Sequence, residues 1–283
     1  SDQTNIYIIC AFILLSLLNL LIFRYRTRAL RRSNKILREK EVAARFVLRQ
    51  KNVLSSRNKN IEDSLKYAER IQKAMFTRES DIAKMCPDSF IFQKPKDIVM
   101  GDFYWGKKIG DTIFLAAVDC TGHGVPGAFM SLIGLEMFRQ IVCTKEIYTP
   151  GKILDEMNKS FDVVFDTTEE MSLRDGMDLT ICSMNTKTNM LVFAGAFKPL
   201  YIIRNREIIE IKGDKTLVGP YMGFDRLPFT NHEFQLESQD RIYMFSDGYA
   251  DQFGGPEGKK FKYRRFRHLL LSICDQPLSR QHD

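Results

Sequence analysis

Residues 119–131 read DCTGHGVPGAFMS, and this stretch determines how the second half of the chain is interpreted. The apolar run that ends at Asp119 predicts a buried strand. Gly122, Gly124 and Gly127 allow the backbone to approach a ligand closely, and Pro126 is suited to the first turn of a helix. We therefore predict a strand, a glycine-rich turn and a helix whose N-terminal amides face an anion.

From about residue 81 onward, short apolar runs alternate with turn signals. Seven strands are predicted, at 113–118, 179–184, 190–194, 200–204, 207–211, 229–236 and 241–245. Helices are predicted at 126–143, 152–165 and 262–273. Successive hairpins with helices set apart from them predict an α+β layered domain.

Four aspartates stand where a predicted strand ends or a turn begins: Asp102, Asp119, Asp178 and Asp247. A strand fixes the direction of the chain and a following turn leaves the carboxylate exposed, so these side chains can converge. Converging carboxylates repel one another, and a divalent cation relieves that repulsion. Oxygen ligands favour Mg²⁺ or Mn²⁺ over zinc or copper. Taken singly, each aspartate is also explained as an ordinary turn residue.

Composition restricts the class of protein. The 283 residues are 44% hydrophobic and 27% charged, which excludes a disordered tail. The six cysteines form no CxxC pair, which disfavours a zinc ribbon and favours a reducing compartment. All 17 glycines and all nine prolines lie beyond residue 86, whereas residues 24–80 hold 17 Lys and Arg against 6 Asp and Glu. The chain therefore divides into a basic, helix-prone N-terminal part and a globular part.

Residues 6–23 form an uncharged apolar run that spans about 27 Å as a helix, enough to cross a bilayer. Arg24, Arg26 and Arg28 follow it, as expected on the cytoplasmic side. A secretory signal peptide is the alternative, but its basic residues would precede the run and a cleavage site would follow. We predict a single-pass transmembrane helix in the cell inner membrane, with residues 1–5 as an extracytoplasmic stub and the globular part in the cytoplasm.

Residues 24–80 contain no glycine or proline and predict a long helical linker that ends near residue 78. Apolar residues recur in an imperfect heptad pattern: Leu37, Ala44, Leu48, Ile61, Leu65, Ala68 and Met75. The pattern fits either a parallel coiled coil, which would make a homodimer, or a solvated single helix. Basic residues close to the membrane can contact anionic lipid, so they do not require nucleic acid.

Seven stretches together resemble a known family, the stage II sporulation protein E (SpoIIE-like) serine/threonine phosphatases, a bacterial branch of the metal-dependent type 2C protein phosphatases. They lie in order between residues 64 and 255: SLKYAERIQKAMF, GDFYW, VDCTGHGVPGAFMS, RDGMD, GAFKPLYIIRN, GDK and MFSDGYADQFGG. The resemblance implies that residues 81–283 form an α-β-β-α sandwich with two Mn²⁺ or Mg²⁺ ions between its central sheets.

The same resemblance implies roles for individual residues. Asp102 and Asp119 would bind metal, with Asp119 bridging both ions and the carbonyl of Cys120 assisting. Asp247 would bind the first ion, and Asp178 would be a ligand or would support one. Asp102, Asp119 and Asp247 are accordingly the expected catalytic residues.

Two metal ions can activate a water molecule and neutralise the phosphate that it attacks, so no protein nucleophile is needed. Consistent with this, the chain has no GxSxG motif, and Cys120 and Cys143 lack the arginine of a CxxxxxR phosphate loop. His123 fits a general acid chemically, but the resemblance assigns it no such role and a structural role is favoured.

The substrate implied by the resemblance is a phosphoserine or phosphothreonine on a small anti-sigma-factor-antagonist-like protein of a partner-switching pathway. The helix over residues 64–76 is the element expected to switch the activity. Two alternatives stay open: a catalytically silent dimeric binding module, and a membrane-tethered nucleotide cyclase.

Two features at the C-terminal end need separate interpretation. Residues 259–267, KKFKYRRFR, suggest nucleic acid when taken alone. Because Phe266 continues an apolar helix face, a basic helix start is favoured and no nucleic-acid partner is predicted. Members of the family continue into a C-terminal strand with an acidic pair, and that strand is expected to be missing from the sequence ending at Asp283, with a loss of metal affinity and stability.

Overall fold

The computed structural model describes residues 2–165, 175–220, 226–256 and 258–282. Contacts divide the chain into two units, Ser1–Ser64 and Leu65–Asp283. Helix α1 (Asp2–Met75) makes up the first unit as far as Ser64, and its last turns belong to the second unit. Its most apolar 18-residue window has a mean hydropathy of 2.8 and is not buried at all, which makes it a candidate membrane span by length and composition. The predicted long helix is confirmed, whereas the coiled coil stays a prediction.

The second unit combines short helices with antiparallel strands. In chain order its elements are α2 (Glu79–Met85), β1 (Phe103–Ile109), β2 (Thr112–Cys120), α3 (Gly124–Phe138) with a π-helical continuation (Arg139–Thr144), α4 (Pro150–Phe165), β3 (Met177–Asn185), β4 (Met190–Ala196), β5 (Leu200–Arg204), β6 (Glu207–Ile211), β7 (His232–Gln235), β8 (Arg241–Tyr243), β9 (Phe253–Gly254), β10 (Lys259–Lys260), α5 (Lys262–Ile273) and α6 (Leu278–His282).

Two sheets are stacked between helices. The first sheet has the strand order β1-β2-β3-β4-β7 and the second has the order β6-β5-β8, while β9 and β10 form a separate hairpin. One core joins the first sheet to α3 and α4, a second core lies between the sheets, and a third joins the second sheet to α5. This is the predicted α-β-β-α sandwich.

The alternation of side chains along each strand explains the layers. In β2, Phe114, Ala116 and Val118 belong to the core that faces the helices. Because successive strand residues point to opposite faces, Asp119 points toward the second sheet. Trp105 of β1 stacks on Phe138 of α3 with ring centroids 4.9 Å apart, which holds the first sheet against its helix layer.

Several predicted boundaries need correction. Helix α3 begins at Gly124, two residues earlier than predicted, and α4 likewise begins at Pro150. The strand predicted over 229–236 is limited to β7, and the one over 241–245 ends at Tyr243. Strand β1 and the β9–β10 hairpin were not predicted. In β1, Gly106 and two exposed lysines interrupt the apolar pattern that marks the other strands of this sheet.

Candidate metal and phosphate site

Three of the predicted aspartates lie in one row at the same end of the first sheet. In the pairing of β2 with β3, Asp119 stands opposite Asp178. Asp102 directly precedes β1, and because Phe103 pairs with Val118, the same register brings Asp102 level with Asp119. Directly opposed residues of antiparallel strands share a face of the sheet. The row therefore directs three carboxylates toward the second sheet.

An ammonium group joins this row to the second sheet. The Nζ atom of Lys198 lies 2.7 Å from Oδ2 of Asp119, 2.9 Å from Oδ2 of Asp247 and 3.9 Å from Oδ2 of Asp178. Asp247 stands shortly after β8, so its carboxylate comes from the second sheet. The structure thus brings Asp119, Asp178 and Asp247 around a lysine that the sequence analysis did not identify, and it places Asp102 beside Asp119. That these four aspartates bind metal stays a prediction.

Lys198 reaches this position from the turn that connects the two sheets. Strand β4 ends at Ala196, and Phe197 adopts a left-handed conformation with φ of 56°. The Lys198 N–H then donates to the Ala196 carbonyl at 2.6 Å, and β5 begins after Pro199. Only 5% of Lys198 is exposed. The one signal in the sequence is a lysine placed between an apolar strand and a proline.

The aspartates perturb one another because they are crowded and partly buried. Burial, and then the neighbouring Asp119 carboxylate, raises the pKa of Asp102 to about 6, although the Ser246 hydroxyl donates to Asp102 and opposes the shift. Burial also raises the pKa of Asp178 to about 6, against the opposing effect of Lys198. The protein surroundings therefore do not fully stabilise the negative charge of these carboxylates.

Lys198 offsets part of this charge. Burial by itself disfavours its ammonium form, but the carboxylates of Asp119 and Asp247 more than compensate, and its pKa is raised. Lys198 is therefore protonated at neutral pH.

The glycine-rich turn packs its backbone against the loop that carries Asp102. A Cβ atom on Gly127 would lie 2.6 Å from the carbonyl oxygen of Gly122 and 3.2 Å from Cα of Gly101. Gly122 itself has φ of 87°, in the region that favours glycine. These close approaches hold the loop before Asp102 and the turn after Asp119 at backbone contact. The predicted approach of the glycines to a ligand stays a prediction.

His123 precedes α3 and makes no side-chain cap of the helix. Its Nδ1 atom lies 2.9 Å from Oδ2 of Asp97, and both side chains are exposed. The pairing orients the imidazole within the glycine-rich turn. The structural role favoured for His123 stays a prediction. The interaction of the α3 amides with an anion stays a prediction.

Cys120 and Cys274 do not present an accessible thiol to a phosphate. The Cys120 side chain is buried in the core between sheet and helices, and burial raises the pKa of its thiol. Cys274 has an arginine six positions later, Arg280, but its thiol is buried and contacts the Leu271 carbonyl at 3.2 Å. Any role of Cys120 at the site therefore belongs to its main-chain carbonyl.

A buried glutamine near the end of α1 attaches that helix to the site. Nε2 of Gln72 donates to the carbonyl of Met100 at 2.9 Å and to Oγ of Ser131 at 3.0 Å, and its Oε1 accepts from the N–H of Met100 at 3.0 Å. Met100 stands two residues before Asp102, and Ser131 lies in α3. Gln72 thus joins α1, the Asp102 loop and the helix after the glycine-rich turn, a role that no local pattern predicts.

Residues 259–267 belong mainly to β10 and α5. Phe266 is buried against the second sheet, and Arg267 pairs with the hydroxyl of Tyr201 and with Glu210. The basic segment is therefore the start of a packed helix, as favoured from the sequence.

The carboxylate cluster fits a cation, because Asp119 and Asp247 already pair with the Lys198 ammonium. Among the described residues, no three His, Cys, Asp or Glu side chains meet closely enough to hold one ion in this arrangement. The Lys198 ammonium lies between them and serves as a stand-in for a cation. The oxygen donors match the preference of Mg²⁺ and Mn²⁺.

Comparison with solved structures identifies the class. The SiaA PP2C domain of Pseudomonas aeruginosa matches with a TM-score of 0.71 and 32% identity, over 80% of this chain and 87% of that chain. Two more distant structures share the fold. The RsbU and RsbW domains of a Mycobacterium tuberculosis protein match with a TM-score of 0.52 and 20% identity, over 67% of this chain and 50% of that chain. The PP2C phosphatase domain of SpoIIE from Bacillus subtilis, solved with a fragment of its regulatory domain, matches with a TM-score of 0.51 and 16% identity, over 65% of this chain and 52% of that chain. The fold and the acidic site define a protein phosphatase of the PP2C type, a class of metal-dependent hydrolases.

Within the PP2C class, the sequence also identifies the family. Residues 109–283 match the family described as stage II sporulation protein E (SpoIIE). This is more than half of the sequence, and the chain belongs to the SpoIIE family. No match was found among curated protein sequences. The family resemblance that the motifs indicated is confirmed, and with it the assignment of the chain as a homologue of hydrolases.

Proposed function

We propose that this chain is a membrane-anchored, metal-dependent protein serine/threonine phosphatase that removes phosphate from a partner protein through a metal-activated water. The observation that supports this most directly is the convergence of Asp119, Asp178 and Asp247 from two sheets on the buried Lys198 ammonium, with the Asp102 carboxyl beside Asp119. A PP2C-type phosphatase needs a carboxylate cluster of this kind.

Two Mn²⁺ or Mg²⁺ ions would be held by these four carboxylates, with Asp119 shared between them and the Cys120 carbonyl as a further oxygen donor. When bound, the ions supply a hydroxide near neutral pH and neutralise the charge of the phosphate. The chain's own residues hold these ligands in register. The first sheet aligns Asp102, Asp119 and Asp178, and the glycine contacts keep the Asp102 loop against the Asp119 turn.

The proposed substrate is a phosphoserine or phosphothreonine on a small anti-sigma-factor-antagonist-like protein. This part of the proposal rests on the family resemblance. A homodimer formed through the helical linker would place two catalytic domains at the inner membrane, and residues 64–76 would carry the regulatory signal. Gln72 supports that assignment, since it connects this segment to the Asp102 loop and to α3.

The test is release of phosphate from a phosphothreonine peptide by the full chain in detergent micelles, with and without Mn²⁺. Asp119→Asn should lower the Mn²⁺-dependent rate by about 100-fold or more. Asp111→Asn is the matched control, because Asp111 lies at the opposite end of β2, exposed and paired with Lys187 at 2.6 Å. Equal rates for the two variants would contradict the proposal. No release by a folded wild-type chain that binds Mn²⁺ would favour the silent binding module.

A further inference from the structure

Lys198 is the least expected member of the site. Its side chain is 6% exposed, and its ammonium contacts Oδ2 atoms of two carboxylates from different sheets within 2.9 Å. A buried ammonium is tolerated only when it is paired with negative charge. Here the pairing is made with Asp119 and Asp247, two of the side chains that the proposed function assigns to the metal ions.

The lysine and a metal ion have the same electrostatic role at this position. Each neutralises carboxylates that would otherwise repel one another. The lone pairs that accept N–H groups of Lys198 are not free to coordinate an ion, and two cations beside the same carboxylate oxygens repel each other. The ammonium therefore opposes metal binding unless it gives up at least part of these contacts.

The turn geometry indicates that this arrangement is built into the fold. Lys198 stands in a tight turn between β4 and β5, with a left-handed residue before it and Pro199 after it. The backbone at Lys198 is therefore held by strands on both sides, and the lysine is directed at the cluster by the same two sheets that supply the aspartates.

We propose that Lys198 is an internal cation that holds the carboxylates together in the metal-free protein and competes with divalent metal for Asp119 and Asp247. The inference rests on the proposed function, because it assumes that these aspartates bind metal. Lys198 is thereby a positioning residue that sets the metal concentration at which the enzyme becomes loaded.

The test measures metal affinity rather than activity. Mn²⁺ binding to the full chain in detergent micelles is followed by the loss of the electron paramagnetic resonance signal of free Mn²⁺. Lys198→Met keeps the length of the side chain and removes its charge, and it should bind Mn²⁺ about tenfold or more tightly than the wild type. Lys152→Met, at an exposed position of α4, is the control and should leave the affinity unchanged.

A second readout separates competition from a general change in the fold. Without Mn²⁺, Lys198→Met should unfold at a lower temperature than the wild type, because the carboxylates lose their buried counter-charge. With saturating Mn²⁺ the difference should shrink or reverse. If Lys198→Met does not fold, Lys198→Gln, which keeps N–H donors without the charge, replaces it with the same expected result.

Each outcome bears on a defined claim. Unchanged or weaker Mn²⁺ binding by the neutral variant, in a protein whose wild type binds Mn²⁺, overturns the competition and leaves the proposed function intact. A wild type that binds no more Mn²⁺ than Asp119→Asn overturns the metal site itself, and with it both proposals. Tighter binding by the neutral variant, with an unchanged Lys152→Met control, supports the inference.

Discussion

Replacing Gly127 by alanine tests whether backbone contact in the glycine-rich turn supports the site. In an unconstrained helix interior, Gly→Ala stabilises by about 1 kcal/mol. At Gly127 the added Cβ would lie 2.6 Å from the Gly122 carbonyl oxygen, 3.1 Å from its carbonyl carbon and 3.2 Å from Cα of Gly101. All three atoms are backbone, so no side chain can move aside. Overpacking of this kind costs about 1–3 kcal/mol.

We expect the steric cost to exceed the gain in helix propensity, so the free energy of unfolding of Gly127→Ala should fall by roughly 1–2 kcal/mol. Urea unfolding of the full chain in micelles can be followed by the fluorescence of Trp105, the only tryptophan in the sequence. Trp105 is buried against Phe138, which lies in the same helix as Gly127. Gly254→Ala is the control, since no atom lies within 4 Å of its added Cβ. A Gly127→Ala protein as stable as the wild type, or more stable, would refute the reasoning.

Buried and titrating groups give three further predictions. Gln72→Leu leaves the buried N–H of Met100 without its acceptor and removes one of the two donors to the Met100 carbonyl, and it should lower the free energy of unfolding by about 1–3 kcal/mol in the same urea assay; an unchanged midpoint would contradict the role of Gln72. The folded-state pKa values of Asp102 and Asp178 are raised from 3.8 to about 6, so the native state binds more protons than the unfolded state between pH 4 and 6. The free energy of unfolding of the metal-free protein should therefore fall by about 1–3 kcal/mol as pH rises through that window, after allowance for partial exposure. The slope of this pH dependence should be smaller in an Asp178→Asn variant. A thiol reagent applied to the native protein should label exposed Cys143 and spare buried Cys182, whose thiol pKa is raised by burial; modification of both at equal rates would show that the core is open.

The sequence was most informative where strands are buried and regular. The strands at 200–204 and 207–211 match β5 and β6 to the residue, because their apolar runs are bounded by clear turn signals. The four aspartates could be nominated for the same reason, since each ends a strand or begins a turn. Their actual distances depend on strand register and on the packing of the two sheets. Local sequence patterns do not specify either of these.

The parts that the sequence did not predict depend on contacts between distant residues. Lys198 meets Asp247 across 49 positions, and Gln72 meets Met100 and Ser131 across 28 and 59 positions. A buried lysine and a buried glutamine have the same local appearance as solvated ones, so only the packed fold distinguishes them. Strand β1 was missed because its second half is exposed and charged, although Phe103 and Trp105 are buried.

The row of aspartates limits how the sequence of this domain can vary. Its members are aligned by strand pairing that runs the length of the first sheet, to the pair of Thr112 with Asn185 at the opposite end. One residue inserted within β2 or β3 would turn an aspartate to the helix-facing side, whereas extra residues in the 186–189 turn leave the pairing in place. The strand pairing therefore fixes the spacing of the carboxylates. The turns at the opposite end of the sheet can be lengthened, or can accept a reporter domain, without changing that spacing.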